Sequence, residues 1–325
     1  MKRFKNILCV VELEEVSEPI LERAASLAKN NQARLTVITV VERVTAGIRM
    51  PDGGPISADL QAAIVNDHMQ KLEKLAEPYG DRVEVKVLVG TPFLEIIREV
   101  LRNQRDLVIK IPEHQDWLDR LFGSDDMHLL RKCPCPIWLI KPHAAKTHRC
   151  VLAAVDAGEI YPSDEQKPRH ALNRQILEMA SSLALSDFAD LHVVHVWDAI
   201  GESAMQNSAF MRRPEKEVAA YVEEVRQHHA DSLQSLIRET TSNLGQDAID
   251  YLKPKTHLVK GWAREEVPIL AQQIDADLVV MGTVARTGVS GFFMGNTAET
   301  ILNQIDCSVL AIKPPGFKTP VMLEE

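Results

Sequence analysis

The sequence has no long apolar run. No stretch of about 18 apolar residues occurs in the 325 residues, so nothing predicts a membrane span. The N-terminal segment begins with basic residues but has only five consecutive apolar residues, Ile7 to Val11, before Glu12. A secretory signal peptide needs a longer apolar core. These absences predict a soluble, cytoplasmic protein without a membrane partner.

An excess of basic charge and a disulfide framework are also missing. Lys and Arg total 37 against 46 Asp and Glu, a net charge of −9 that argues against a nucleic-acid partner. The cysteines number five, which is odd, and their arrangement predicts buried free thiols in a reducing compartment. Cys133 and Cys135, with His128 nearby, lack the Cys-x2-Cys spacing of common zinc sites, so the sequence predicts no metal site.

Motifs for covalent or phosphoryl-transfer catalysis are absent as well. No Ser or Cys lies in a nucleophile elbow, and no Gly-Lys-Ser/Thr sequence closes a Walker loop. The sequence therefore predicts no catalytic residues. Any hydrolysis of ATP would lack an evident base and would be weak.

The chain does contain an internal repeat. Five short apolar runs recur in the same order in both halves, at offsets that rise from 144 to 156, 171 and 172 residues. The paired runs are 7–12 with 151–156, 35–40 with 191–196, 87–90 with 258–261, 106–109 with 277–280, and 136–142 with 308–314. The steps in the offset place the insertions in connections, which indicates a duplication.

Helical patterns lie between these runs, and those before the fourth strands are predicted over Pro92–Asn103 and Glu265–Ile274. Short Val/Ile/Leu strands alternating with helices are typical of parallel β-α-β units. The sequence thus predicts an α/β fold of two tandem doubly wound, Rossmann-like domains, each with a five-stranded parallel sheet. The predicted bounds are 1–142 for domain 1, 143–149 for a linker, 150–314 for domain 2 and 315–325 for a tail. Ligands are expected at the carboxyl ends of the strands.

Two helix starts and two long segments are further predictions. Ser17 is expected to cap the first helix, and Asn296 with Glu299 is expected to form a capping box. The segments 43–82 and 199–256 carry extra apolar faces. These faces either cover the core, or cover the strand ends as lids, or line a pocket for an apolar ligand.

A glycine-rich loop follows the fourth strand of the second half. Residues 282–299 read GTVARTGVSGFFMGNTAE. Glycines let backbone amides approach a bound anion, and the loop ends on a helix N-terminus that favours phosphate. Arg286 can add a cation. The alternative is that the loop has only a structural role and caps the helix.

The order of elements and this loop resemble the universal stress proteins, which bind ATP with a Gly-x2-Gly-x9-Gly-Ser/Thr motif after the fourth strand. The resemblance covers both halves. The stretches GNTAE at 295–299 and HLLRKCPCP at 128–136 are similar to the bacterial tandem-domain type of the family. The resemblance implies an adenine nucleotide alpha hydrolase-like fold and a cytoplasmic stress-response protein.

Carried over residue by residue, the motif of the family is partly kept in the second half. Gly282 and Gly295 match its first and third glycines, and Ala285 stands in place of the second. A methyl group at 285 costs on the order of 1 kcal/mol if that residue is left-handed. Asn296 replaces the Ser/Thr, with Thr297 adjacent.

Two residues match the family at the end of the implied nucleotide site that holds the base and sugar. Asp156 matches the aspartate that holds the base or sugar end of the nucleotide in the family, and Val196 matches the valine that contacts the base. Arg286 completes the predicted binding set, which has no metal of its own and would involve Mg²⁺ only together with ATP.

The first half departs further from the motif. Ile111 and His114 occupy the first two glycine positions, and Glu12 replaces the aspartate. Asp125 and Asp126 follow at the helix start, where they suit the helix dipole but repel phosphate. We predict that the first half does not bind ATP in the manner of the family.

The resemblance therefore implies a stress-response protein that binds ATP or a related nucleotide in its second domain only. One alternative is a scaffold, or a binder of an apolar ligand, that acts through protein partners. Another is a weak ATPase. The identity of any protein partner is open, and so is the choice between a pseudo-dimeric monomer and a homodimer.

Overall fold

The computed structural model describes residues 4–13, 17–44, 55–80, 82–113, 124–142, 144–158, 162–242, 244–283 and 294–323. The chain forms two compact units. The first contains residues 2–146 together with the C-terminal segment 308–325, and the second contains 147–289 and 295–307. The strand of the second repeat that begins at Ser308 thus belongs to the first unit, which differs from the grouping that the repeat predicts.

Strands and helices alternate along both repeats. The first repeat forms β1 (Asn6–Val10), α1 (Glu18–Asn31), β2 (Arg34–Val41), α2 (Pro55–Ala76), β3 (Val83–Val89), α3 (Pro92–Asn103), β4 (Leu107–Lys110), α4 (Ser124–Lys132) and β5 (Ile137–Leu139). The second forms β6 (Cys150–Val155), α5 (Ser163–Asp187), β7 (Asp190–Trp197), α6 (Glu202–Asn207), α7 (Glu215–Thr241), α8 (Gln246–Leu252), β8 (Lys255–Lys260), α9 (Ala263–Gln273), β9 (Leu278–Gly282), α10 (Asn296–Leu302) and β10 (Ser308–Ile312). The α/β fold is confirmed.

The sheet of the first unit has the order β3-β2-β1-β4-β5-β10. Its first five strands are parallel, and β10 runs antiparallel to β5, with Leu310 opposite Trp138. The second unit contains β9-β6-β7-β8, all parallel. The central strands β1 and β6 are almost fully buried because helices cover both faces of such sheets.

The two repeats share a hydrogen-bond anchor at the start of their first strands. The carboxylate of Asp106 accepts two successive backbone N–H groups at the start of β1, at 2.6 and 3.0 Å. Asp277 does the same at the start of β6, at 2.7 and 3.2 Å. The repeated Asp-Leu-Val run therefore fixes the entry to each parallel sheet, which is the structural reason for one of the sequence matches.

Both predicted helix caps differ from the structure. Ser17 lies at the N-cap of α1, but its hydroxyl donates to the carbonyl oxygen of Glu12 at 2.7 Å instead of capping the helix. In α10 the N-cap is Gly295, and Asn296 is already the first helical residue. The predicted capping box of Asn296 with Glu299 is therefore wrong, because the helix begins one residue earlier than the pattern suggested.

The long segments 43–82 and 199–256 supply helices that cover the core. Leu72 of α2 is fully buried, and α7 buries Val218, Leu233 and Leu236 as it packs on α5 and β7. Covering the core, one of the predicted alternatives, accounts for these apolar faces. No helix among the described ranges combines the length and the apolar character needed to cross a bilayer. All five cysteines are buried free thiols, as predicted.

Candidate functional site

A cleft of about 380 Å³ opens at the carboxyl ends of β6, β7 and β9 in the second unit. Helices α5, α9 and α10 form its walls. This is where a doubly wound sheet is expected to bind its ligand. The strand ends contribute Ala154, Val155, Val194, Val196, Met281 and Gly282 to the lining.

The cleft brings together five of the predicted binding residues, which are Asp156, Val196, Gly282, Gly295 and Thr297. Asn296 lies between two of them, at the first position of α10, but it does not line the cleft. The two remaining predictions, Ala285 and Arg286, lie outside the described residues. Their part in the site stays a prediction.

Asp156 is held by two side chains of α5. Its Oδ2 lies 2.9 Å from Nη1 of Arg169, in an ion pair that leaves 45% of the aspartate side chain exposed. Oδ1 of Asn173 accepts the backbone N–H of Asp156 at 3.0 Å, and its amide donates to the carbonyl oxygen of Asp156 at 2.6 Å. The carboxylate is thus positioned by its neighbours while it still faces the cleft.

Arg169, Leu172 and Asn173 line the cleft but were not among the predicted site residues. The sequence holds a weak signal for one of them. Asn173 lies beside Leu172 and three residues before Ile176, so it occupies the apolar stripe of α5. A polar residue in such a stripe needs a hydrogen-bond partner, and here the partner is the backbone of Asp156.

Gly282 allows a close approach between β9 and α5. A Cβ at this position would lie 2.7 Å from Cδ2 of Leu172, which is closer than two carbon atoms pack. Packing against Leu172 therefore requires a glycine at this position, in addition to the anion contact that the motif suggests. Any side chain at 282 would require Leu172, which lines the cleft, to move.

A buried histidine pair lies behind the loop that carries Asp156. Nδ1 of His195 accepts the backbone N–H of Ala157 at 3.3 Å, and its Nε2 lies 2.8 Å from Nδ1 of His229. The neutral ring of His195 therefore carries its proton on Nε2. Burial lowers the pKa of His195 to about 4; the charge of Asp156 opposes this and His229 adds to it. A neutral, positioning histidine fits these contacts.

The corresponding place in the first unit contains a buried ion cluster. The ammonium of Lys110 lies 3.1 Å from Oδ1 of Asp126 and 3.2 Å from Oε1 of Glu12. The repeat aligns Lys110 with Met281 and Asp126 with Ala298, both of which line the cleft of the second unit. Burial opposes the charge of Lys110, but Asp126 and Glu12 outweigh it and raise its pKa. Charged side chains thus stand where the second unit has an apolar lining.

The described residues contain no group of three or more His, Cys, Asp or Glu side chains placed to share a metal ion. His128, one of the metal candidates in the sequence, stacks on Phe93 with ring centroids 4.6 Å apart. Cys133 and Cys135 are both buried, with their sulfur atoms 3.6 Å apart.

Comparison with known proteins gives full-length matches. The family model described as "Universal stress protein family" matches residues 3–141 and 169–313. Universal stress protein E of Escherichia coli (strain K12) is 27% identical over 330 residues, covering 100% of this chain and 99% of the relative. A functionally unknown protein of Pseudomonas aeruginosa PAO1 has a solved structure with a TM-score of 0.68 and 26% identity, covering 96% of this chain and 93% of that chain.

A universal stress protein solved in complex with cAMP also matches. It is 14% identical, with a TM-score of 0.29, and covers 51% of this chain and 97% of that chain. That complex is a property of the other protein.

Proposed function

Because the chain belongs to the universal stress protein family and has two of its domains in tandem, we propose that it binds ATP or a related adenine nucleotide in its second domain. One observation carries the proposal. A single cleft gathers Asp156, Val196, Gly282, Gly295 and Thr297, all of which match or adjoin the nucleotide motif of the family. The cleft volume of about 380 Å³ falls within the range of small-molecule sites.

The chemistry of the lining suits the two ends of a nucleotide. Val194, Val196 and Val267 offer apolar contact to a base, and the half-exposed carboxylate of Asp156 can accept hydrogen bonds from ribose hydroxyls. The phosphates would lie near Gly295 and Thr297, where backbone N–H groups and a hydroxyl are available. Mg²⁺ would accompany ATP as its counter-ion.

We expect binding rather than turnover to be the function. Among the described residues that line the cleft, Asp156 is the one carboxylate, and it is already paired with Arg169. A general base for water activation is therefore not available at the site as described, and hydrolysis would be weak. The protein would act in the cytoplasm by presenting its liganded state to protein partners.

The test uses protein purified without added nucleotide, which is denatured so that its bound small molecules can be identified by mass spectrometry. We expect adenine nucleotide at about one per chain, and loss of it in Gly295→Val. Gly295 has φ −65° and ψ 138°, which valine also adopts, so the variant keeps the fold while its side chain blocks the phosphate end.

Gly123→Val, at the matching position of the first repeat, is the control and should keep its nucleotide. No binding at millimolar ATP, or undiminished nucleotide in Gly295→Val, would refute the proposal. Ala285→Gly should tighten binding by about fivefold if residue 285 is left-handed, since that conformation costs on the order of 1 kcal/mol with a Cβ.

The apolar character of the cleft favours a second candidate function, the binding of an apolar ligand. Its described lining contains Leu172, Ile176, Val194, Val267, Met281 and Ile301. The same denaturation experiment would then release a hydrophobic molecule in place of a nucleotide, and Gly295→Val would retain it.

A further inference from the structure

Two cysteines of the first unit lie side by side where α4 passes into β5. Cys133 follows the last residue of α4, and Cys135 comes two residues before the start of β5. Their sulfur atoms are 3.6 Å apart, which is the distance of a hydrogen bond between two sulfur atoms. Both side chains are buried and both are free thiols.

The residue between the two cysteines limits how far they can separate. Pro134 fixes its own φ at about −65°, so the chain between the cysteines has little freedom. Cα atoms two residues apart lie at most about 7 Å from each other, which reaches the range that a disulfide spans. The sulfur atoms, now 3.6 Å apart, would have to close to about 2.0 Å. A disulfide between Cys133 and Cys135 is therefore within reach of small side-chain movements.

A lysine from the end of the second repeat lies beside this pair. Lys313 follows β10, belongs to the first unit and is buried. Its ammonium donates to the carbonyl oxygens of Leu130 and Arg131, in the last turn of the helix that ends before Cys133, and lies 4.9 Å from the ring centroid of Phe317. Burial lowers the pKa of Lys313 to about 7, and the negative charge of a Cys133 thiolate opposes this effect.

The two thiols differ in acidity. Burial opposes the ionisation of Cys133, but the hydrogen bond from Cys135 and the charge of Lys313 outweigh it and lower the pKa of Cys133. The pKa of Cys135 is raised, because this thiol supplies the proton of that hydrogen bond and is buried, and because the charges of Cys133 and Asp106 add to the effect. Cys133 is thus the thiol that ionises first, and Cys135 keeps its proton.

Other cysteines of the chain lack this activation. Burial raises the pKa of Cys9 to about 12 and, together with the charge of nearby carboxylates, that of Cys150 to about 11. Since the thiolate is the reactive form of cysteine, these two thiols are expected to be inert. The repeat aligns Cys135 with Cys307 but Cys133 with Ile305, so only the first repeat has two cysteines at this place.

We propose that Cys133 and Cys135 form a redox-active dithiol that hydrogen peroxide converts to a disulfide. The thiolate of Cys133 attacks one peroxide oxygen, so that an S–O bond forms and the O–O bond breaks, and the leaving hydroxide takes a proton from solvent. The sulfur of Cys135 then attacks the sulfur of the sulfenic acid on Cys133. An S–S bond forms, the S–O bond breaks, and the proton of Cys135 leaves with the hydroxyl group as water.

In the balance of both steps, two thiols lose two electrons and two protons, and one hydrogen peroxide becomes two waters. The oxidant has to reach buried sulfur atoms. Pro134 and Pro136, on either side of Cys135, are partly exposed, so the loop that carries the dithiol lies at the surface. Local opening of such a loop costs less than global unfolding, and hydrogen peroxide is small enough to enter. Because the dithiol lies in the first unit, the reaction does not depend on the proposed nucleotide site.

The experiment treats the full reduced chain with hydrogen peroxide at pH 7.5, unfolds it, and labels the remaining thiols with a maleimide for mass spectrometry. We expect a Cys133–Cys135 disulfide that forms at least about tenfold faster than Cys9 or Cys150 is oxidised, because the higher pKa values of those two leave less thiolate. Cys307→Ser, at the matching position of the second repeat, is the control and should form the disulfide as the unchanged protein does.

Variants separate the roles of the three residues. Cys135→Ser should stop at a sulfenic acid on Cys133, which dimedone traps, whereas Cys133→Ser should leave Cys135 as a thiol. Lys313 is a positioning residue that acts through the charge of Cys133. In Lys313→Met the pH at which the disulfide forms at half its maximal rate should therefore shift upward, which a merely structural role would not cause. Circular dichroism verifies the fold of each variant.

Three outcomes would overturn the proposal. The first is the absence of the disulfide at peroxide concentrations that already oxidise Cys9 or Cys150. The second is a sulfenic acid on Cys135 in Cys133→Ser together with none on Cys133 in Cys135→Ser. The third is a disulfide between two chains, seen as a dimer on a non-reducing gel. An unchanged pH profile in Lys313→Met would refute the role of Lys313.

Discussion

At the scale of single residues, Asp156 illustrates what a sequence can and cannot predict. The sequence alone predicts that it lies at a strand end, because it follows a short apolar run. Its pairing with Arg169 could not be predicted, because the connection between the two residues contains no motif that fixes their distance. The close approach of Gly282 to Leu172 could not be predicted either, because no motif relates β9 to α5.

His195 gives a pH-dependent prediction at this scale. The folded chain keeps His195 neutral down to a pKa of about 4, whereas the unfolded chain protonates near 6.5. Its contribution to stability is therefore complete above pH 6.5 and is lost as the pH falls toward 4. The free energy of unfolding should decrease by up to about 3 kcal/mol over this interval.

Urea unfolding at pH 7.0, 5.5 and 4.5 measures this loss. The decrease should be smaller in His195→Phe, which has no proton to accept. His192 and His257, whose pKa values are also lowered by burial, account for part of the remaining slope. His170→Gln, at an exposed position, is the control. An identical pH slope in His195→Phe and in the unchanged protein would contradict the prediction.

At the scale of elements, helix bounds were predictable where a strong local signal exists. The bounds predicted for α3 are those observed, Pro92–Asn103, because proline suits the first turn of a helix and ends the preceding strand. The start of α10 was misplaced by one residue, since Gly295 and Asn296 are both good N-cap residues. The acidic start of α4 was recognised, but its pairing with Lys110 across the unit was not.

The pairing of Lys110 with Asp126 gives a testable prediction about the stability of β4 and α4. Lys110→Met leaves the fully buried carboxylate of Asp126 without its cation and should destabilise the protein by about 3–5 kcal/mol. Lys110→Met/Asp126→Ala installs the pair found in the second repeat, Met281 and Ala298, and should recover most of the loss. Denaturant unfolding of the two single variants and the double variant measures the coupling.

An additive cycle would contradict this prediction, because two independent sites have no coupling energy. The same double variant also tests why the first half departs from the nucleotide motif. With Asp125 and Glu12 still in place, we expect it to remain unable to bind ATP.

At the scale of the whole molecule, the repeat predicted the strands but not their grouping. Every run in the second half became a strand, yet β10 lies in the unit of β5. A strand pattern reports burial and alternation, and it carries no information about which edge the strand joins. In the first unit β5 therefore has β4 on one side and β10 on the other.

This arrangement predicts the oligomeric state. Because β10 covers the edge of β5 within one chain, we expect the 325-residue chain to sediment as a 36.4 kDa monomer. A truncated chain of residues 1–146 uncovers that edge and should self-associate, since unpaired strand edges recruit other strands. Sedimentation velocity of both proteins measures this. A dimeric full chain together with a monomeric truncation would contradict the prediction.

The late position of β10 also has a consequence for biosynthesis. Lys141 donates its backbone N–H to the hydroxyl of Ser308, 167 residues further along the chain. At translation rates of about 5–20 residues per second, roughly 10 to 30 seconds pass between the synthesis of the two. During this time β5 of the first unit therefore remains uncovered on the ribosome. The sheet of the first unit can be completed only after β10 has been synthesised.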